Sequence, residues 1–419
     1  MKKRAVLGFA LVGLLVVAGG AFAETTLRFS LWRDLNTWDG TMEVIDEFMR
    51  RYPDIKIEVE VPSGSYTERL LTMHVAGVAP DVMLSEDEPY QSLIEAGVFM
   101  DITHLIERDA ALLKEQMDDY WPSQHEVTIY KGRYFGLPGQ VGGGVVTYIN
   151  RDLFDQSGLA APADDWTFDD LVEAGRRMTE DRNGDGSPDQ WGIALTTSWP
   201  YALNWIWSGG GSLLNEDRTR SVLDQVEAID GLQFMHDLIH VYGVAPAPGT
   251  PGVDWVGGAV GVRFLGSWDF GQSLANLPFN WDVAHLPKHP ERGTRGTRVS
   301  WNIATISPQT QHLEAAWEFL KFFSSIEASR IIWEQSRMPF PPSVSVARTM
   351  VDPNTPQREE VMIEALLEYG RLQPITPYWN EMGRVFAPRL AEMLQGVISP
   401  AAAATLVADE INTILAASE

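Results

Sequence analysis

From Leu27 the chain alternates apolar and polar positions, Leu27, Phe29 and Leu31 against Arg28, Ser30 and Trp32, which is the period-two pattern of a half-buried strand. Val44, Ile45, Phe48 and Met49 then recur at helical spacing. Tyr52-Pro53 predicts the end of that helix, because proline lacks the backbone donor and clashes with the preceding turn. A second strand through Ile55, Ile57, Val59 and Val61, a helix over 66–76 stopped by Gly77, and a short strand over 81–85 complete a β-α-β-α-β order. That order predicts parallel strands joined by right-handed crossovers. The ligand of such a sheet sits at the carboxyl ends of its strands, here Trp32 to Thr37 and Ser85 to Glu88.

A glycine-rich passage, Gly136 to Gly144, precedes a strand over 145–149 and is the expected first crossing between domains. Further along, the pattern predicts a helix over 168–178 capped by Asp165 or Thr167, a helix over 230–242, and a strand over 259–268 that runs into a Gly-Ser-Trp turn. A strand over 303–306 and a helix over 315–323 follow. Pro339, Pro341 and Pro342 then break the chain, and the remainder reads as mostly helical. No repeat of fixed period is present.

Length and composition sharpen this. The 419 residues exceed one ordinary core and predict two or three domains. With 45% hydrophobic and 21% charged residues the chain is globular. A net charge of −25 repels phosphate backbones, so no nucleic-acid partner is expected. Lys2, Lys3 and Arg4, the apolar run Val6 to Ala18, and Ala21-Phe22-Ala23 form a secretory signal over 1–23, with cleavage expected after Ala23. Zero cysteines leave no disulfide and no lipidated cysteine, so a periplasmic location is expected. Fifteen tryptophans are more than packing requires and point to aromatic binding surfaces.

The residues also resemble a known family. A strand ending in Trp32, Phe48 to Pro53, Ala76-Gly77-Val78-Ala79-Pro80-Asp81-Val82, Gly136-Leu137-Pro138, Tyr148 to Phe154, Trp166 to Leu171, Gly184-Asp185-Gly186 with Gln190-Trp191-Gly192, Gly266-Ser267-Trp268 and Ala315 to Leu320 follow one another in the order of the extracellular solute-binding proteins, family 1. These serve ATP-binding-cassette importers, and the sugar-binding group includes maltose-binding protein. The resemblance implies a periplasmic-binding-protein-like α/β fold: lobe I over 24–137 plus 287–336, lobe II over 138–286 plus 337–419, three hinge crossings, and a ligand cleft between the lobes. It further implies a saccharide ligand, importer permeases as partners, a monomer, and neither catalysis nor a cofactor.

Carried over by motif, the expected ligand-binding residues are Trp32, Asn36, Thr37, Ser85, Glu86 and Glu88 from lobe I. Lobe II offers Trp199, Tyr201, Trp205, Trp207 and Trp268, joined by Gly142, Trp301 and Arg337 near the crossings and by Tyr378 and Trp379 late in the chain. Aromatic rings pack on the C–H faces of a sugar and short polar side chains meet its hydroxyls. Trp166, Trp317 and Trp333 read as core, and the spacing within 199–207 forbids aiming all those rings into one cleft. Where the family often has a polar residue after its Leu-Pro crossing, this chain has Gly142 to Gly144.

Other readings carry less. Asp181, Asn183, Asp185 and Asp189 stand at positions 1, 3, 5 and 9 of a calcium loop, but Gly192 occupies the position of the closing acid, so a tight Asp/Asn/Gly loop is expected. His236 and His240 have zinc spacing with Asp237 in place of the usual glutamate. A secreted glycosidase also combines acids with tryptophans, and requires two carboxyl groups facing each other across the sugar. A polyamine binder would use Glu86 and Glu88 with aromatic rings.

Overall fold

In the computed structural model the described residues are 24–417 except 33–38, 270–273, 275, 337–340, 350 and 352–356. The signal segment and the candidates Asn36, Thr37 and Arg337 lie outside them.

Among the described residues eleven strands are present: β1 (Thr25–Ser30), β2 (Ile55–Glu60), β3 (Val82–Glu86), β4 (Ile129–Tyr130), β5 (Arg133–Tyr134), β6 (Leu137–Asn150), β7 (Trp191–Ala194), β8 (Val260–Gly266), β9 (Trp281–Ala284), β10 (Thr297–Ile306) and β11 (Gly370–Leu372). Helices fill the intervals, and the chain is a two-lobed α/β protein. The expected β-α-β-α-β start is present. β1 pairs in parallel with β2 and with β3, with helices Asp39–Arg51 and Tyr66–Val75 as the crossovers. The buried face of Asp39–Arg51 carries Val44, Ile45 and Phe48, and Phe48 meets Phe319 at 5.0 Å between ring centroids while Phe29 meets Phe319 at 5.2 Å. Such aromatic pairs add about 0.5–1.5 kcal/mol each beyond area burial. They hold helix Leu313–Phe323 onto this half.

The longer sheet has the order β2-β1-β3-β10-β6-β8-β7, with β11 on β10 and β9 on β6. Two of its strands serve both halves. β6 pairs with β10 over Leu137–Gly144 and then with β8 from Val145 to Ile149. β10 pairs with β3 over Asn302–Ile306 and with β11 over Thr297–Val299. The glycine-rich passage, expected as a crossing ahead of a short strand, is therefore the first part of one 14-residue strand. Glycine is needed there because the neighbours approach so closely: a Cβ on Gly142 would fall 2.8 Å from the Ser300 carbonyl oxygen and inside the Trp301 ring.

One hydrophobic cluster collects β1, helix Asp39–Arg51, the end of β10 and helix Leu313–Phe323. A second runs from β6 through β8 to the carboxyl-terminal helices Trp379–Leu394 and Pro400–Ala416. Helix Phe168–Met178 starts at Thr167 in a reciprocal capping box with Asp170, as the alternatives Asp165 or Thr167 anticipated. No described helix is long and apolar enough to cross a membrane.

Candidate functional site

The ends of β1, β3 and β8 converge with β6 and β10 on a cleft of about 210 Å³. Trp32 follows β1, Glu86 ends β3, and Asp87 and Glu88 open helix Asp87–Glu95, where the helix dipole favours negative charge. Gly142 comes from β6, Tyr201 from helix Trp199–Ser208, and Trp268 from the single 3₁₀ turn after β8. Arg298, Ser300 and Asn302 complete the lining, every second residue of β10 and so on one face of it. The β6–β10 register shifts between Trp301 and Ile303, leaving residues 139–141 opposite Asn302. Such bulges re-aim side chains beside functional sites.

A polar network floors this cleft. Arg298, 4% exposed, donates from Nη2 to Glu88 Oε1 at 2.6 Å and from Nε to Gln373 Oε1 at 3.0 Å, while its backbone N–H donates to Asn204 Oδ1 at 2.6 Å. One side chain thereby ties β10 to helix Asp87–Glu95 and to the segment after β11. Asp87 is 1% exposed; its Oδ1 accepts from Ser300 Oγ at 2.8 Å and lies 3.9 Å from Arg298 Nη2. Burial pushes the Asp87 carboxyl up to about 7, opposed by Arg298 and by the Ser300 hydroxyl and reinforced by Glu88 and Glu86. Asp87 Oδ2 and Asn302 Oδ1 are buried without a hydrogen-bond partner among the described residues.

Six of the expected residues thus meet here: Trp32, Glu86, Glu88, Gly142, Tyr201 and Trp268. The remaining described candidates do not line the cleft. Trp301 is fully buried, stacked on Trp121 at 6.0 Å with its indole N–H on Ser123 Oγ, because odd residues of β10 face away from the cleft. Trp205 is core against Phe168, Phe234 and Phe264. Trp379 is 3% exposed and packs on Trp199 at 4.1 Å, with Tyr378 preceding it at the helix start. Trp207 lines a separate groove of about 870 Å³, together with Ser123, Arg218 and Arg371. Ser85 is buried and donates to the Glu86 carbonyl. The groove lined by Trp207 is larger than the cleft, but Trp207 is the one ring among the described residues lining it, and none of them has a buried acceptor without a partner.

Sequence reasoning missed Asp87, Arg298, Ser300 and Asn302. The first stood between two candidates; the period-two spacing of 298, 300 and 302 was the available signal for the others. In the suspected calcium loop the acids turn inward: Asp181 accepts N–H groups of Gly184 and Gly186, and Asp189 those of Arg182 and Asn183. Among the described residues no group of three His, Cys, Asp or Glu is placed to hold a metal ion. His240 faces the Leu394 carbonyl at 3.1 Å and His236 pairs with Asp237.

The model of the bacterial extracellular solute-binding proteins matches residues 38–329. The chain belongs to that family. This solute-binding protein is 27% identical over 361 residues to the arabinooligosaccharide-binding protein of Bacillus subtilis (strain 168), spanning 80% of this chain and 79% of that one. Its fold matches an ABC substrate-binding protein of Listeria monocytogenes in complex with cycloalternan, with a TM-score of 0.82, 25% identity, and 94% and 99% of the two chains covered. The cyclic α-maltosyl-1,6-maltose binding protein of Arthrobacter globiformis shares the fold at a TM-score of 0.76 and 20% identity, over 93% and 99% of the two chains. As a member, the solute-binding protein is exported and works with the permeases of an ATP-binding-cassette importer.

Proposed function

We propose that this protein captures a neutral oligosaccharide in the cleft between β6, β10 and the ends of β1, β3 and β8, and delivers it unaltered to its importer. The observation that carries the reading is the meeting of Trp32, Tyr201 and Trp268 with Glu86, Glu88, Arg298, Ser300 and Asn302 around one small cavity. Rings supply stacking surfaces at low entropic cost, and the polar set supplies directional hydrogen bonds to hydroxyls. At about 210 Å³ the cavity is smaller than the roughly 300–1,000 Å³ of sites that enclose a whole drug-sized ligand. The cleft therefore holds one end of a longer saccharide, or the lobes part to admit it. The arabino- and glucose-based oligosaccharides of the relatives are the first ligands to try.

In this reading residues 24–137 plus 287–336 belong to lobe I and 138–286 plus 337–419 to lobe II, and β10 pairs with strands of both. Thr297 and Val299 pair with β11, whereas Ile303 to Ile306 pair with β3. Closure then bends β6 and β10, and the ligand drives it through its extra affinity for the closed state. Cleavage after Ala23 releases a monomer to the periplasm.

Binding is favoured over glycoside hydrolysis by the placement of the acids. Glu86, Asp87 and Glu88 are consecutive on one wall, and the described residues lining the rest of the cleft are Trp32, Gly142, Tyr201, Trp268, Arg298, Ser300 and Asn302. A hydrolytic pair needs carboxyl groups on both sides of the sugar. Arg298 in the floor likewise disfavours a polyamine. Thermal-shift measurements against arabinotriose, maltotriose, cycloalternan and spermidine test the assignment, since a ligand of the native state raises the melting temperature by mass action. A shift with spermidine and none with any saccharide would overturn it, as would release of shortened products from a bound saccharide.

A further inference from the structure

We propose that Asp87 and Asn302 form an acceptor pair in the cleft floor that takes hydroxyl donors from the captured saccharide, Asp87 doing so as a carboxylate, so that capture expels a proton. The inference rests on the saccharide reading above and names the part of the ligand this cleft selects: a sugar unit whose hydroxyls are free at its buried end.

Two independent observations support it. Both residues line the cleft, at 1% and 9% exposure, and each has a buried oxygen, Asp87 Oδ2 and Asn302 Oδ1, with no partner among the described residues. Buried polar atoms are almost always satisfied, so an orphaned acceptor beside a ligand cleft marks the place where the ligand's donors arrive. Secondly, the hydroxyl and the guanidinium that face Asp87 already have partners. Oδ1 takes the Ser300 hydroxyl, and Arg298 gives its short hydrogen bonds to Glu88 and Gln373 while standing 3.9 Å from Asp87. The charged groups facing Asp87 are Arg298 on β10, Glu88 on its own helix and Glu86 at the end of β3.

With the cleft empty, an ionised Oδ2 is buried without a donor, and the proton on the carboxyl is the cheaper state; burial sets its titration near pH 7. A sugar hydroxyl donating to Oδ2 stabilises the carboxylate, and the proton leaves to solvent. A site built to bond a hydroxyl also rejects a ligand that lacks one, because its own buried group is then left unpaired.

The test is calorimetric titration of the mature protein with arabinotriose and with maltotriose between pH 5 and 8.5, in two buffers of different ionisation enthalpy. Wild type is expected to gain about tenfold in affinity per pH unit below roughly pH 7, then to level off, with close to one proton released at pH 6. Asp87→Asn is expected to bind about ten- to hundredfold more weakly at pH 8, without pH dependence. Asn302→Ala is expected to weaken binding while keeping the proton release. A readout without ligand accompanies these: Asp87→Asn melts higher than wild type at pH 8, and the gap narrows as pH falls from 7 towards 4, because only the native state holds the high-titrating carboxyl. Equal, pH-independent affinities of wild type and Asp87→Asn, or a melting gap that does not change with pH, overturn this proposal alone. Failure of wild type to bind any saccharide at any pH overturns the saccharide reading and this inference with it.

Discussion

Gly142→Ala places one methyl group where β6 and β10 touch. Gly142 does not need glycine for its backbone angles, since it is absent from the positive-φ glycines; the requirement is space. The added Cβ would fall inside the contact surface of Trp301 Cε3, 2.6 Å from Cζ3 and 2.8 Å from the Ser300 carbonyl oxygen, against ordinary carbon contacts of about 3.5–4.0 Å. The ring cannot retreat freely, because its far side is stacked on Trp121 and its N–H is bonded to Ser123 at 2.9 Å. Overpacking of a filled core costs about 1–3 kcal/mol, and a clash that includes backbone belongs at the upper end. We expect a loss of about 3 kcal/mol, read as a lower urea midpoint at unchanged slope and a melting temperature lower by about 5–10 °C. Trp301→Leu removes the ring and is destabilising by itself, but combined with Gly142→Ala the two losses should fall short of additivity by about 2–3 kcal/mol. Additive losses, or a Gly142→Ala protein as stable as wild type, would refute the account of why this crossing is glycine-rich.

Three further outcomes follow from the same structure. Trp268→Ala is expected to weaken saccharide binding by about 1–3 kcal/mol while leaving the urea midpoint nearly unchanged, checked by calorimetry and denaturation; an unaltered dissociation constant would remove Trp268 from the site. Arg298→Gln removes the partner of Glu88 and the donor to Gln373. A loss of about 2–3 kcal/mol is expected, below the cost of breaking a wholly buried pair because Glu88 is 37% exposed, and chemical denaturation reads it. His285 is buried against Tyr369 and Glu364, and burial together with nearby Arg295 lowers its titration to about 4. Its unfolded form takes up a proton that the folded form refuses, so its contribution is present above about pH 6.5 and is lost as pH falls towards 4. His285→Gln should flatten the melting-temperature profile across that window, and an unchanged profile would exclude His285 as its source.

The amino-terminal half of the fold was legible because its determinants are local. Alternation at Leu27, Phe29 and Leu31, helical spacing at Val44 to Met49, and the stops at Pro53 and Gly77 act within a few residues, and the elements formed where those signals lay. The motifs that end β1, β3 and β8 also carried Trp32, Glu86, Glu88 and Trp268 to one place, since the strand ends of one sheet converge whatever the intervening chain does. Tryptophan was the harder case, because its size suits a core and a cleft equally. Sequence could say that the rings within 199–207 would not all face one way, but helix Trp199–Ser208 and its neighbours decided that Tyr201 meets the cleft, Trp205 the core and Trp207 another groove.

What the chain determined by itself, then, is the strands and helices at its start, their parallel order, and the residue types offered at the strand ends, all of them consequences of short-range periodicity and backbone restriction. Only the tertiary structure decided which face of β10 looks into the cleft. It thereby sent Trp301 inward and Arg298, Ser300 and Asn302 to the ligand side, and it buried Asp87 beneath them. The reason is that a strand's two faces are equivalent until its partners are fixed, and β10 finds its partners, β3, β6 and β11, in segments more than sixty residues away in the chain.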